Sequence, residues 1–197
     1  RAELLQLQFT CGRETAFEGI SHLAPGETLV VEAGRIASAS RLDPLPAGGP
    51  EAWSEAEAAR LLDDALTDSV TIHQRSDVPY GMFLSGGVDS SAVLALMREL
   101  NAEPVRAFTA GFGGTAVHDE RDHARTVAAA AGARFRAVEF GETDFWRLLP
   151  EIARAMDDPA ADYAVLPSYK LAALARAEGL KVILTGEGGD EMFAGYG

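Results

Sequence analysis

The chain carries one cysteine, Cys11, so no disulfide forms within it, and that usage fits a reducing cytoplasm. No apolar run approaches the ~20 residues of a membrane-spanning helix, and no signal-peptide pattern is present. The four histidines are dispersed and show no zinc-ligand spacing. His118 and His123 lie on one expected helix but not on one face of it, so they read as solvated residues. Basic residues are scarce: 17 lysines and arginines stand against 30 acidic residues, a formal net charge of −13, with no basic cluster. A tRNA surface needs lysine and arginine patches, so a small-molecule or peptide substrate is favoured over nucleic acid. Internal repeats and low-complexity tracts are absent too. What remains is an ordinary globular composition, 47% hydrophobic and 24% charged over 197 residues. That is enough for one substantial core and a small appendage.

The most informative stretch is Tyr80-Gly81-Met82-Phe83-Leu84-Ser85-Gly86-Gly87-Val88-Asp89-Ser90-Ser91. A short apolar run breaks into Ser85-Gly86-Gly87. A helical pattern then starts, with Ala92, Val93, Leu96, Met97 and Leu100 as its apolar face. Strand, glycine turn and helix N-terminus in that order build an anion site, because turn N–H groups and the helix dipole face one spot. Ser85 and Ser90 supply hydroxyls. Asp89 would repel a phosphate unless a cation sat between them, which points to Mg²⁺ bridging Asp89 to a di- or triphosphate. The pattern is neither a Walker loop, which needs a lysine after its last glycine, nor a dinucleotide GxGxxG fingerprint.

A second signal lies at the far end, Lys181-Val182-Ile183-Leu184-Thr185-Gly186-Glu187-Gly188-Gly189-Asp190-Glu191. Again a β-rich run breaks into glycines, here with three carboxylates in five residues. Following a buried strand, this loop should emerge at the same carboxyl edge as Ser85, where open α/β sheets bind ligands. Asp89 and Asp190 would then share Mg²⁺, leaving Glu187 for proton chemistry.

Ser-Gly-Gly-x-Asp-Ser resembles the pyrophosphate loop of ATP pyrophosphatases. Together with Gly186-Glu187-Gly188-Gly189-Asp190-Glu191-x-Phe193-x-Gly195-Tyr196, it is similar to the synthetase domain of glutamine-dependent asparagine synthetases. His118-Asp119-Glu120-Arg121 with Ala124-Arg125 and Val127-Ala128, and Asp157-Asp158-Pro159 leading to Leu166-Pro167-Ser168-Tyr169, resemble further segments of that family. The resemblance implies a ligase that activates an acid such as aspartate as an acyl-adenylate, releases pyrophosphate, and joins the acyl group to ammonia from glutamine. It implies ATP and Mg²⁺ as cofactors and leaves open whether two copies form a homodimer. Residue by residue, it places Leu84, Ser85, Gly86, Gly87, Asp89, Ser90, Ala110, Thr185 and Gly186 at the nucleotide. Asp89 and Asp190 fall at the metal, and Glu187 where the family takes a proton from ammonia. β-Lactam-forming relatives carry a tyrosine at this last position, so Glu187 favours ammonia. Peptide-cyclising relatives and a non-catalytic nucleotide-binding module remain as alternatives.

The organisation expected from the sequence is simple. Residues 1–45 read as two short strands around turns with too little apolar material for a core, and resemble the end of a glutaminase domain. The glutaminase cysteine must be the first residue of the mature chain, since its own α-amino group is the base. Cys11 is internal and reads as a small packing residue. Residues 43–50 form a proline–glycine linker, and 46–197 form a partial ATP-binding domain. Ser54-Glu55-Ala56-Glu57 is a capping box opening a helix, with Trp53 placed to staple it and Ala58, Leu61, Leu62, Ala65, Leu66 and Val70 as its stripe. Strands at 82–84, 105–110, 135–140 and 181–185 alternate with helices at 90–100, 119–131 (Asp119 as N-cap), 143–156 and 166–178. That alternation predicts an α/β fold with a doubly wound parallel sheet and a small β-rich N-terminal remnant, and the resemblance implies that the sheet is of the ATP-pyrophosphatase (adenine nucleotide α-hydrolase-like) type. The chain lacks a starting methionine and stops soon after the second motif, so a fragment of a longer enzyme is expected. The acid-selecting residues and a catalytic lysine would lie beyond Gly197.

Overall fold

A computed structural model describes residues 2–43, 47–113, 119–157, 159, 162–193 and 195. His118, Asp158 and Tyr196, each part of a resemblance quoted above, lie outside the described residues. The fold divides into two compact units, residues 1–53 with 153–162, and residues 54–152 with 163–197.

The first unit holds α1 (Ala2–Leu7), β1 (Glu27–Glu32) and β2 (Arg35–Arg41). The two strands pair antiparallel from Glu27 opposite Arg41 to Glu32 opposite Arg35, with a bulge between Val30 and Val31. None of its described residues is buried, and Val31 and Ile36 are both more than 60% exposed. The lack of a core explains two departures from the sequence reading. Cys11 is exposed rather than packed, and Trp53, the expected staple, keeps 52% of its surface exposed.

The second unit begins with α2 (Glu55–His73), whose N-cap Ser54 accepts a hydrogen bond from the Glu57 amide at 3.3 Å, as the capping box predicts. Its apolar stripe is narrower than the periodicity suggests, since Val70 is buried while Leu62 and Ala65 stay exposed. There follow β3 (Tyr80–Phe83), α3 (Val88–Leu100), β4 (Arg106–Gly111), α4 (Arg121–Ala130), β5 (Arg134–Glu139), α5 (Glu142–Ala155), α6 (Val165–Ala177), β6 (Val182–Leu184) and α7 (Gly189–Phe193). The sheet runs β5-β4-β3-β6, and every pair is parallel. From β3 the chain steps outward to β4 and β5, then returns to the far side of β3 with β6. The order therefore reverses between β3 and β6, the switch point at which such sheets open a crevice.

Alternate residues along the strands feed two cores. Met82, Leu84 and Ala107 join Leu94 and Met97 of α3, Ala124 and Ala128 of α4, and Val70 of α2. Phe108, on the opposite face of the sheet, packs with Leu171 and Ala175 of α6 and with Leu180. Helices thus cover both faces, which is why the central strands are apolar on both sides. On the second face α5 and α6 are clamped together. Lys170 Nζ donates to Asp144 Oδ2 at 2.6 Å, and Tyr169 Oη donates to Glu151. The ammonium of Lys170, then the guanidinium of Arg147, hold the Asp144 carboxyl down to about 2.

Two helix starts differ from the sequence reading. Helix α3 begins at Val88, not Ser90, because Gly87 takes an extended conformation and serves as N-cap, which draws Asp89 into the first turn. Helix α4 begins at Arg121 with Glu120 as N-cap. Asp119 stands one residue earlier, accepting from the Arg121 amide at 3.1 Å and binding its guanidinium, so its carboxylate is engaged by a side chain as well as the backbone.

Candidate functional site

Leu84 follows β3 with both backbone groups engaged inside the protein. Its N–H donates to Phe108 O at 2.9 Å, and its carbonyl accepts from the buried Thr109 hydroxyl. The chain then turns through Ser85, Gly86 and Gly87. Gly86 has φ +87, and a Cβ there would lie 2.8 Å from His123 Cδ2 and 3.0 Å from the backbone nitrogen of Ala124. Only glycine satisfies both the conformation and the close approach of α4. Hydroxyls hold the turn. Ser85 Oγ accepts from Gly87 N at 3.1 Å and lies 3.0 Å from Ser90 Oγ, while Ser91 Oγ donates to Gly86 O at 3.2 Å. Ser85 and Ser90 therefore shape the loop as well as lining the cavity. Gly87 has no side chain with which to cap α3, so the helix presents its positive end there without a capping oxygen.

The loop after β6 lies directly against this turn. A Cβ on Gly186 would sit 2.7 Å from Ser90 N, and one on Gly189 would overlap the Asp89 carboxylate. Gly188 takes φ +99 to turn the chain into α7, which places Asp190 and Glu191 in that helix's first turn. The two glycine motifs, remote in sequence, are thus one structure.

Between them opens a cavity of about 660 Å³. Its polar lining includes Ser85, Asp89, Ser90, Thr185, Glu187 and Asp190, and its apolar lining includes Phe83, Ala110, Phe112, Ala164, Pro167 and Leu171. Of the residues singled out from the sequence, Leu84, Gly87 and Gly186 also line it, and Gly86 is buried beneath the turn. The sequence reading did not single out Phe112, Glu120 or Ala164. Phe112 follows β4, Glu120 is the N-cap of α4 and Ala164 the N-cap of α6, so only the fold brings them to the cavity. The size and the mixed polar and apolar lining suit a nucleotide-scale ligand.

Asp89, Glu120, Glu187, Asp190 and Glu191 line this cavity, and none of its described lining residues is a lysine, arginine or histidine. A phosphate chain entering such a field needs a cation to accompany it. Among the described residues no group of three or more His, Cys, Asp or Glu side chains gathers to hold a metal. One or two carboxylates with phosphate oxygens completing the shell is the set that suits Mg²⁺, and Asp89 beside the loop that carries Asp190 fits it. No helix among the described residues is long and apolar enough to cross a membrane.

Comparison with known proteins agrees with this geometry. A family model described as asparagine synthase matches residues 61–197. The chain is 40% identical over 132 residues to a putative glutamine-hydrolysing asparagine synthetase of Methanocaldococcus jannaschii, covering 66% of this chain and 25% of that protein. It is 37% identical over 194 residues to a putative glutamine-hydrolysing asparagine synthetase of Mycobacterium bovis, covering 96% and 29% respectively. It is also 31% identical over 159 residues to an amidase of Penicillium rubens, covering 74% and 24%. The chain spans about a quarter of the length of these curated relatives.

Proposed function

The chain belongs to the asparagine synthase family, and from that premise we propose that it is the ATP-binding part of an amide-forming ligase of the glutamine-hydrolysing asparagine synthase type. The observation that carries this reading is the contact between the two glycine loops at the β3–β6 switch point. In the proposed reaction a carboxylate oxygen of the acid substrate, aspartate, attacks the α-phosphorus of ATP. The bond from the α-phosphorus to its bridging oxygen breaks, giving an acyl-adenylate and pyrophosphate. Ammonia then attacks the acyl carbon and AMP leaves, carrying the electron pair of the broken C–O bond.

This chain's residues divide that work by position. Ser85, Gly86, Gly87 and Ser90 cradle the phosphates that leave as pyrophosphate, with the positive end of α3 aimed at the charge that builds there. Asp89 and Asp190 would hold Mg²⁺, which when bound neutralises phosphate charge and orients the chain. Leu84, Thr185 and Gly186 border the nucleotide, and Ala110, in the apolar lining of the cavity, backs the adenine. Glu187, exposed in the polar lining, takes the proton from the attacking ammonia.

Residues 1–45 fit the closing part of a glutaminase domain and 46–197 part of the synthetase domain. The family model lies within the second of these, at residues 61–197, and the alignment with the mycobacterial relative runs on through nearly the whole chain. A second reading, an amide-forming relative acting on another acid or amine, is favoured by the match to the fungal amidase.

Product analysis tests the proposal. The protein is incubated with Mg-ATP, ammonium and each amino acid in turn, and the nucleotide products are separated. Aspartate-dependent AMP and pyrophosphate support it. AMP formation with a different acid selects the second reading, and release of ADP and phosphate overturns both.

A further inference from the structure

At the carboxyl ends of β4 and β5, Phe112, Phe140, Gly141, Glu142, Phe145 and Trp146 line a smaller, open cavity of about 280 Å³. Four of those six residues are aromatic. Phe112 and Phe140 meet edge to face, centroids 6.0 Å apart at 75°. Phe145 and Trp146 meet likewise at 5.1 Å and 84°. Both edge-to-face pairs border the same small space. Phe140, 6% exposed, anchors the wall, and Trp146, 63% exposed, forms the rim. Among the described residues the charged side chain lining the pocket is Glu142, whose Oε1 accepts from Trp146 Nε1 at 3.3 Å.

The chemistry of these walls selects their ligand. Ring faces carry negative potential and attract a cation, and Glu142 adds a full negative charge at the same rim. Anions are repelled. Small inorganic cations hold their water too firmly to enter an aromatic pocket. A neutral apolar group gains only its burial. A cation whose charge is spread over methyl groups sheds water at little cost and gains from the rings and the carboxylate alike. We propose that this pocket binds an alkylated ammonium group. Phe112 lines both this pocket and the larger cavity, so the ammonium ligand would sit beside the nucleotide-sized site. The proposal is independent of what that larger cavity does.

The chain has two tryptophans, Trp53 and Trp146, so Trp53→Phe leaves Trp146 as the only indole reporter. Its fluorescence is followed during titration with choline, with 3,3-dimethylbutan-1-ol (the same shape without the charge), and with sodium chloride at matched ionic strength. The expected result is a saturable change with choline, binding at least about fivefold weaker for the alcohol, and no change with salt. Glu142→Gln should weaken choline by roughly three- to tenfold and leave the alcohol unaffected. Glu142 is exposed, so this variant keeps the fold. Phe145→Leu, which keeps bulk but removes a ring face, should act in the same direction. A trimethyllysine peptide binding more tightly than choline would assign the ligand to a polypeptide, and weaker binding would assign it to a free small molecule. Equal affinity for choline and the alcohol, or no saturable change up to about 100 mM choline, overturns the proposal.

Discussion

The carboxylate of Asp89 rests against the backbone of Gly189, so close that a side chain at position 189 would overlap its Oδ2 and Cγ. One residue belongs to the first turn of α3 and the other opens α7. Their contact joins two loops into a single acidic surface at the reversal of the sheet, the proposed phosphate site.

Gly189→Ala tests that contact. The added methyl has to displace the Asp89 carboxylate, so Mg-nucleotide affinity should fall at least about tenfold while the melting temperature changes by only a few degrees. Calorimetry and thermal unfolding together separate the two effects. Unchanged affinity would mean that Asp89 does not act where it stands.

Gly86→Ala should cost more stability. It combines a positive φ with a contact against the Ala124 backbone, which cannot swing away as a side chain can. A loss of about 2–3 kcal/mol is expected in denaturant unfolding. A loss under ~1 kcal/mol would mean that the turn relaxes.

Much of this arrangement is readable in the sequence, for physical reasons. Short apolar runs that break into glycine read as strands meeting turns, so β3 and β6 and their loops stand out, as does the hairpin at residues 27–41, although β6, expected to be buried, is only half-buried. Strand–helix alternation implies a parallel sheet, because parallel strands need crossovers. Strand neighbours are less legible. Nothing local to Val182–Leu184 says that it pairs with Tyr80–Phe83 on the side away from β4. Helix starts shifted by one or two residues because an extended Gly87 caps without a side chain and Arg121 engages Asp119. Long-range pairs such as Asp144–Lys170 and the aromatic pocket are invisible, since they depend on which loops the sheet brings together.

Asp144 makes the stability of the α5–α6 contact depend on pH. Its carboxyl sits at about 2 in the fold against an ordinary value of 3.8, chiefly through Lys170. A lowered folded value means stability that is present above about pH 4 and lost as the pH falls toward 2. The Asp144 side chain is 20% exposed, which limits the contribution to roughly 1 kcal/mol. Asp144→Asn should therefore melt about 2–4 °C lower than the parent at pH 7, and the gap should close between pH 4 and pH 2. A gap independent of pH would assign the effect to packing instead.

Glu187→Gln separates binding from chemistry. Affinity for Mg-nucleotide should stay within about twofold, because Glu187 is assigned to ammonia, while the rate of amide formation falls by ~10²-fold or more. Amide formation at the parent rate would remove Glu187 from its role.

The most direct test of the central claim is a calorimetric titration of the chain with Mg²⁺ and a non-hydrolysable ATP analogue, beside Asp89→Ala. The two-loop site predicts saturable binding with one nucleotide per chain, dependent on Mg²⁺ and lost in the variant. Binding that survives Asp89→Ala, or no binding by a chain shown to be folded, would contradict it.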